Sequence, residues 1–181
     1  MHLTPSELLG RLRDLGIAAE THEHPAVFTV PESRPVKEAI PGAHSKNLFL
    51  KDRKGRLFLV VAKDETEIDL KRLHETIGAS GRLSFGSAEL LRETLGVEPG
   101  SVTPFAVAND RAGRVTIILD EALARADRVN FHPLVNTMTT GLSPADLLAF
   151  LGTTGHEPRI TALPAPAEVC ATAAALPSFP A

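Results

Sequence analysis

The chain has 181 residues, a net charge of −3, and hydrophobic and charged fractions of 43% and 23%. These values are typical of one soluble globular domain with a substantial core, and they argue against a broad non-specific nucleic-acid surface. No apolar run approaches the roughly 20 residues that span a bilayer. The single cysteine, Cys170, excludes a disulfide framework and a cysteine zinc site, so we expect a cytoplasmic location.

The first half of the chain predicts a capped helix followed by a central hairpin. Thr4, Pro5 and Glu7 have the spacing of a capping box, and Gly16 is a typical residue just beyond a helix end. After this helix we expect a short strand at 17–22, a helix at 32–40 with Pro35 in its first turn, strands at 45–51 and 57–62 joined by a turn at 52–56, and a helix at 69–77. Because the two longer strands are apolar on both faces, they should lie in the middle of a covered sheet.

The second half predicts several shorter elements and a separate tail. We expect a strand at 83–85, a helix from Ser87 to Leu95, a strand at 115–119, a short helix at 120–126, strands at 128–131 and 136–140, a turn at 141–142, a helix capped by Ser143, and an edge strand at 156–160. This mixed order favours an α+β or mixed α/β fold over a regular winding of parallel strands. Residues 162–181 are mostly Ala and Pro, which indicates a flexible or loosely docked tail after a domain at 1–161.

Polar residues stand at predicted strand ends in three segments: Lys46 with Asn47, the loop at 100–104, and His132 followed by Asn136 and Thr139. Each has a simple structural explanation by itself. A lysine at the start of an apolar strand normally extends its charge to water. A loop bounded by glycine and proline is usually a turn, and a histidine before proline usually ends a strand.

The sequence gives little support for a metal site or for covalent catalysis. His22, His24 and His132 lack the helical spacing of a two-histidine site, and no carboxylate has a matching position. No Gly-x-Ser-x-Gly elbow is present, and the cysteine lies in the tail. We therefore expect a site that uses neither a metal nor a cofactor.

Together with an upstream segment, the three polar segments resemble one known family. The matching stretches are Lys-Asn-Leu-Phe-Leu-Lys-Asp at 46–52, Gly-Ser-Val-Thr-Pro at 100–104, His-Pro-Leu at 132–134 and His-Pro-Ala-Val-Phe-Thr at 24–29. They resemble the prolyl-tRNA-synthetase-associated editing domain superfamily, which has the YbaK-like or INS-like fold, and most of all its branch called ProXp-ala, earlier PrdX. The resemblance covers roughly residues 3–160. It implies a mixed, mostly antiparallel sheet flanked by helices, and an enzyme that hydrolyses alanine from tRNA(Pro) in trans to the synthetase.

The resemblance also implies roles for individual residues. By similarity, Lys46 holds the phosphate or ribose of the 3′-terminal nucleotide, and Asn47 is a second polar group there. Gly100 belongs to a loop whose backbone N–H groups approach the reacting carbonyl, and His132 corresponds to a histidine at the edge of the pocket. Further residues implied in substrate binding are Val27, Phe28 and Thr29, as a wall that limits amino-acid size, and Ser101, Val102, Thr103, Pro104, Asn136 and Thr139.

Such a reaction is physically reasonable without a cofactor. An aminoacyl ester is already activated, so a positioned water, donors for the oxyanion and tight orientation can suffice. A pocket sized for a methyl group would admit alanine and exclude proline. The expected partners are the acceptor end of tRNA(Pro) and, where it is recruited, prolyl-tRNA synthetase, rather than DNA or a membrane. The residues expected to meet the acceptor-stem backbone are those of the basic turn, Lys51, Arg53, Lys54 and Arg56.

Two other functions stay open at this point. The first is a deacylase of the same fold that acts on another misacylated tRNA, with cysteine or serine as the amino acid, because family members with other specificities share the lysine, the loop and the histidine. The second is a binding module that keeps the fold and holds tRNA or a synthetase without hydrolysis.

Overall fold

The structure is a computed structural model that describes residues 2–26 and 30–167, with only the backbone described at positions 30 and 31. Its helices are α1 Pro5–Asp14, α2 Val30–Ala39, α3 Leu73–Ile77, α4 Ala88–Leu95, α5 Glu121–Ala124 and α6 Pro144–Thr153, with a 3₁₀ helix at Pro104–Asn109. Its strands are β1 Glu20–Glu23, β2 Ala43–Lys51, β3 Leu57–Lys63, β4 Ser84–Phe85, β5 Val115–Asp120, β6 Val129–Phe131, β7 Met138–Leu142 and β8 Arg159–Thr161.

The strands form a single mixed sheet in the order β1-β7-β6-β2-β3-β5-β8, with β4 paired to β2. Among the described strands, β2 has antiparallel partners in β3 and β4 and a parallel partner in β6. Four pairings are antiparallel and three are parallel, which confirms the predicted mixed, mostly antiparallel sheet. The parallel pairing of β2 with β6 ends at His44 opposite Asn130, while β2 continues to Lys51. A gap therefore opens between the two strands from Ser45 onward.

Two hydrophobic clusters cover the two faces of the sheet centre. The larger one joins the sheet to α1, α4, α6 and the 3₁₀ helix, with Phe105, Phe131 and Phe150 at its middle. The smaller one joins the opposite face to α3. Every residue of β3 from Leu57 to Ala62 is buried, so the prediction of a sheet centre covered on both sides is confirmed.

The sequence predicted the ends of two helices correctly. In α1, Thr4 and Glu7 form the capping box, with the Thr4 N–H donating to Glu7 Oε2 at 2.7 Å. In α4, Ser87 caps the start, and Gly96 follows the end in the left-handed conformation at φ +67°. Both signals act through bonds within four residues, so they are largely independent of the rest of the fold.

Several boundaries differ from the predictions; among them, β1 begins at Glu20 rather than at 17 and β8 at Arg159 rather than at 156. Helix α2 begins at Val30 rather than at 32, so Pro35 lies inside the helix and not in its first turn. Helix α3 begins only at Leu73, because Asp69 accepts a hydrogen bond from the Lys71 N–H through its own side chain and holds a turn there. The predicted turn at 141–142 is part of β7, where Leu142 pairs with β6.

The start of the Ala/Pro-rich tail is docked on the domain. Leu163 packs against the smaller cluster, and the Asp69 N–H donates to the Pro164 carbonyl at 2.7 Å. Residues 168–181, which include Cys170, lie outside the described part of the chain. Within the described residues, no helix has the length and apolarity to cross a membrane.

Candidate active site

A small cavity of about 60 Å³ opens where β2 separates from β6. Helix α2 covers one side of it, and the ends of β6 and β7 form the other. Its lining residues are Ser33, Val36, Lys37, His44, Ser45, Asn47, Asn130, Phe131, His132 and Thr139. The cavity therefore brings together Asn47, His132 and Thr139 from two of the three segments that the sequence predicted.

Asn47 connects the cavity to the third predicted segment. Its Nδ2 donates to the Val102 carbonyl at 3.0 Å and to Ser45 Oγ at 3.3 Å. These two bonds fix the orientation of the amide group. The Asn47 Oδ1 atom is then buried and has no hydrogen-bond partner among the described residues.

His132 is a partly buried histidine whose neutral form is favoured. Burial lowers its pKa from the usual 6.5, and the nearby His24, His44 and Lys37 lower it further, against the raising effect of the hydrogen bond to Met138. The Met138 carbonyl at 2.9 Å can only accept, so Nδ1 carries the proton. The lone pair of the neutral ring is therefore on Nε2, which can accept a proton.

A second histidine, His24, fixes the hydroxyl of Thr139. Its Nδ1 donates to the Pro25 carbonyl at 2.9 Å, and its Nε2 lies 2.9 Å from Thr139 Oγ1. The His24 and His132 rings are 6.1 Å apart at their centroids. From the sequence, His24 was considered as a metal ligand and as part of the resemblance, but not as a partner of Thr139, because that contact depends on the pairing of β1 with β7.

The loop at 100–104 lies beside this site without lining the small cavity. Gly100 is exposed at φ +90°, a conformation that disfavours any residue with a Cβ, and a Cβ built there would lie 3.9 Å from Asn136 Nδ2. Ser101, Thr103 and Pro104 are buried, and the Thr103 Oγ1 accepts from the Phe105 N–H to cap the 3₁₀ helix. These three residues therefore support the loop, while Val102 links it to β2.

Lys46 lies between two cavity residues but does not line the cavity. It pairs with Ala62 in the sheet, and strand alternation places it on the face opposite to Ser45 and Asn47. Its side chain is partly buried and makes no ion pair or hydrogen bond within 2–26 and 30–167. The structure thus leaves its ammonium available to an anion near the cavity.

The basic turn is distant from the cavity and partly neutralised. Asp52 is buried there and accepts hydrogen bonds from the Ser80, Arg56 and Lys54 N–H groups and from Arg56 Nε at 2.8 Å. Burial raises the pKa of Asp52, but these hydrogen bonds outweigh it and hold the pKa at about 2. Arg56 is therefore paired, whereas Lys51, Arg53 and Lys54 are exposed. Six residue steps along β2 put the turn roughly 20 Å from Ser45.

Some predicted residues lie outside the described part of the chain, and some residues that line the cavity were not predicted. Val27, Phe28 and Thr29, predicted as a size-limiting wall, lie outside the described residues. The sequence did not single out Ser45, Asn130, His44 or Lys37, all of which line the cavity. Only Ser45 had a readable signal, since it shares a strand face with Asn47. Nowhere in the described chain do three His, Cys, Asp or Glu side chains gather as they would to hold a metal ion.

Comparisons with known proteins match the whole region that builds the cavity. A family model for the aminoacyl-tRNA editing domain matches residues 24–150. The prolyl-tRNA synthetase associated domain-containing protein 1 of Bos taurus is 44% identical over 154 residues, covering 83% of this chain and 90% of that protein. The prolyl-tRNA editing protein ProX of Acetoanaerobium sticklandii is 36% identical over 150 residues, covering 82% of this chain and 91% of that protein.

A solved structure supports the same fold. The crystal structure of a candidate trans-editing enzyme for prolyl-tRNA synthetase superposes with a TM-score of 0.67 at 23% identity. The match covers 90% of this chain and 98% of that one. At this level of identity the likeness shows the fold alone.

Proposed function

The chain belongs to the aminoacyl-tRNA editing domain family, and we propose that it is a deacylase acting in trans on alanine esterified to tRNA(Pro). Two relatives carry names that connect them with prolyl-tRNA synthetase or with prolyl-tRNA editing, and each aligns with at least 82% of this chain. These names support the acceptor end of tRNA(Pro) as the substrate and prolyl-tRNA synthetase as the enzyme whose errors are cleared.

The observation that carries the choice of alanine is the size of the cavity, about 60 Å³. That is far below the roughly 300–1,000 Å³ of the clefts that hold drug-sized ligands. It suits a methyl group better than the three ring methylenes of proline. Exclusion by size is an effective way to reject a larger amino acid, and it is the second step of a double-sieve scheme.

In the proposed mechanism, the chain positions a water against an ester that is already activated. Neutral His132 accepts the proton of this water at Nε2 as the water oxygen bonds to the ester carbon, and the imidazolium then returns that proton to the ribose oxygen as the ester bond breaks. Backbone N–H groups of the loop around Gly100 donate to the oxyanion, and the ammonium of Lys46 binds the 3′-terminal phosphate. Proton transfer to a positioned base contributes about 10²- to 10⁴-fold to such reactions, and the oxyanion donors contribute a similar factor.

A panel of charged tRNAs tests this function. The protein is incubated with tRNA(Pro) carrying Ala, Cys, Ser or Pro, and release of each amino acid is followed against buffer alone. We expect alanine to be released faster than the other three, and at least about tenfold faster than proline, as expected for a pocket that selects by size. Survival of Ala-tRNA(Pro) at its buffer rate would contradict the proposal, and binding without release would favour a non-catalytic module.

A pair of histidine variants separates catalysis from structure. His132→Ala should lower kcat by about 10²- to 10³-fold, as expected for loss of a general base. His74→Ala is the matched control, because His74 in α3 also bonds a backbone carbonyl through Nδ1, at 2.8 Å, and does not line the cavity. Equal activity of the two variants would remove His132 from the mechanism.

One observation favours cysteine or serine as the alternative substrate. Their side chains are nearly as small as a methyl group, and both carry a hydrogen that could be donated to Asn47 Oδ1, which has no partner within the described residues. Preferential release of Cys or Ser over Ala in the panel would establish this second function in place of the first.

A further inference from the structure

Asn47 and Ser45, two polar side chains of the cavity, have used their hydrogen-bond donors on one another and on the backbone. Asn47 Nδ2 donates to the Val102 carbonyl and to Ser45 Oγ, and the Ser45 hydroxyl donates to the Asn130 carbonyl at 3.1 Å. What Asn47 still offers is Oδ1, a buried acceptor without a partner among residues 2–26 and 30–167.

Thr139 also offers only an acceptor, because its hydroxyl hydrogen is used in a bond to His24. When the His24 ring carries a single proton, the Pro25 carbonyl keeps it on Nδ1, so Nε2 accepts and the Thr139 hydroxyl donates to it. Thr139 Oγ1 is only able to accept a further hydrogen bond. Thr139 is also 5% exposed, so bulk water does not readily supply that bond.

His132 adds a third hydrogen-bond acceptor, and the nearby Lys37 is paired with an acidic side chain. With Nδ1 bonded to the Met138 carbonyl, the neutral His132 ring presents the lone pair of Nε2. The Lys37 ammonium, also at the cavity, donates to Asp64 Oδ2 at 2.6 Å, and that carboxylate balances part of its charge. The available polar atoms from Asn47, Thr139 and His132 are therefore all acceptors.

A cavity whose available polar atoms are acceptors favours a ligand that carries hydrogen-bond donors. Phosphate or carboxylate oxygens would meet lone pairs and be repelled. A small group with two or three N–H bonds would satisfy the acceptors, and an unsatisfied buried acceptor is costly. Resting on the proposed deacylase function, we propose that the acceptors of Asn47 and Thr139 hold the free α-amino group of the aminoacyl ester, with His24 as the residue that positions the Thr139 hydroxyl.

This assignment separates the roles of the two sides of the site. The oxyanion needs donors, so it must be stabilised elsewhere, and the backbone of the loop around Gly100 is suited to that. The substrate class becomes esters of small amino acids with an unblocked amine. Peptidyl- and N-acylated tRNAs, whose nitrogen has one hydrogen and a bulky substituent, are excluded.

Three esters of tRNA(Pro) that differ only at the α-position test the proposal with the wild-type protein: L-alanyl, L-lactyl, in which a hydroxyl replaces the amine, and N-acetyl-L-alanyl. Each enzymatic kcat/KM is divided by the rate of spontaneous hydrolysis of the same ester. We expect the lactyl ester to be about 10- to 100-fold poorer than the alanyl ester, as for loss of hydrogen bonds to a polar group that a site is built to bind. The N-acetyl ester should stay at its buffer rate.

A matched pair of buried threonines distinguishes recognition from stability. Thr139→Val keeps the shape but removes an acceptor, so it should reduce the alanyl-over-lactyl ratio about tenfold. Thr94→Val is the control, because Thr94 is 2% exposed, accepts from Arg114 at 2.9 Å and does not line the cavity. It should lower stability and leave the ratio unchanged.

The possible outcomes are distinct. A wild-type protein that hydrolyses the alanyl and lactyl esters equally well overturns the amino-group assignment while the deacylase function stands, because the acceptors then hold only water. A ratio that falls equally in both threonine variants overturns it as well. A protein that accelerates none of the three esters overturns the deacylase function, and the amino-group assignment with it.

Discussion

Replacing Asn47 by alanine should detach the loop at 100–104 from β2. In the wild type, Asn47 Nδ2 donates to the Val102 carbonyl at 3.0 Å and to Ser45 Oγ at 3.3 Å. A buried acceptor that loses its donor costs about 1–3 kcal/mol, and Val102 is only half-buried, so we expect a loss of about 1–2 kcal/mol in the free energy of unfolding. For a chain of this size that corresponds to a fall of roughly 2–8 °C in Tm.

The same change should also lower activity. It removes one proposed acceptor for the substrate amine and also loosens the loop that is proposed to stabilise the oxyanion. We expect kcat/KM on Ala-tRNA(Pro) to fall at least about tenfold, and up to about a hundredfold, as for the loss of a hydrogen bond to a charged group. Thermal unfolding followed by circular dichroism gives Tm, and release of alanine gives kcat/KM.

Asn109→Ala provides the comparison. Asn109 Oδ1 accepts from the Leu3 N–H and its Nδ2 donates to the Leu95 carbonyl, each at 2.8 Å, and it does not line the cavity. This variant should lower Tm by a similar amount with little change in kcat/KM. The reasoning is refuted if Asn47→Ala keeps wild-type kcat/KM, or loses no more activity than Asn109→Ala.

Three further changes probe other parts of the molecule. Lys46→Ala should abolish turnover with an unchanged circular dichroism spectrum, and near-normal turnover would exclude its phosphate-binding role. Lys54→Ala, at an exposed position, should lose at most a few-fold in kcat/KM, as expected for one surface charge that salt screens. Because the folded pKa of Asp52 is about 2, below its usual 3.8, its contribution to stability is present above about pH 4 and is lost as pH falls towards 2. Asp52→Asn should therefore show a flatter dependence of unfolding free energy on pH in that window, measured by urea titration, and an unchanged slope would contradict the assignment. Gly100→Ala, at φ +90°, should lower kcat by distorting the loop, while Gly113→Ala at φ +62° should lower only Tm; equal kcat values would place the oxyanion donors elsewhere.

The sequence predicted best what local bonds determine. The capping box at Thr4 and the Ser87 cap act within one turn, and the hairpin of β2 and β3 joins strands that are adjacent in the chain. Predictions failed where a distant partner decides the boundary. Leu142 belongs to a strand because it pairs with Val129, and no pattern near residue 142 reveals that partner.

The candidate site also has features that nearby residues determine and features that distant partners determine. Asn47, His132 and Thr139 line one cavity, and their roles stay predictions. Strand alternation in the sequence already predicts opposite faces for Lys46 and Asn47, and the register of β2 agrees with that. His24 could not be assigned, because its role depends on Thr139, 115 residues further along the chain.

The pairing of β1 with β7 has a consequence for how the protein is made. Thr21 and Thr140 touch across 119 residues of sequence, and Ser45 bonds to the Asn130 carbonyl across 85. A topology rich in such distant contacts folds slowly, because long loops must close before the contacts that reward closure can form. During synthesis on the ribosome, the walls of the cavity can meet only after β7 has emerged. Nascent chains that end before residue 138 should therefore have exposed strand edges and no complete cavity. They would depend on chaperones until β7 has been synthesised.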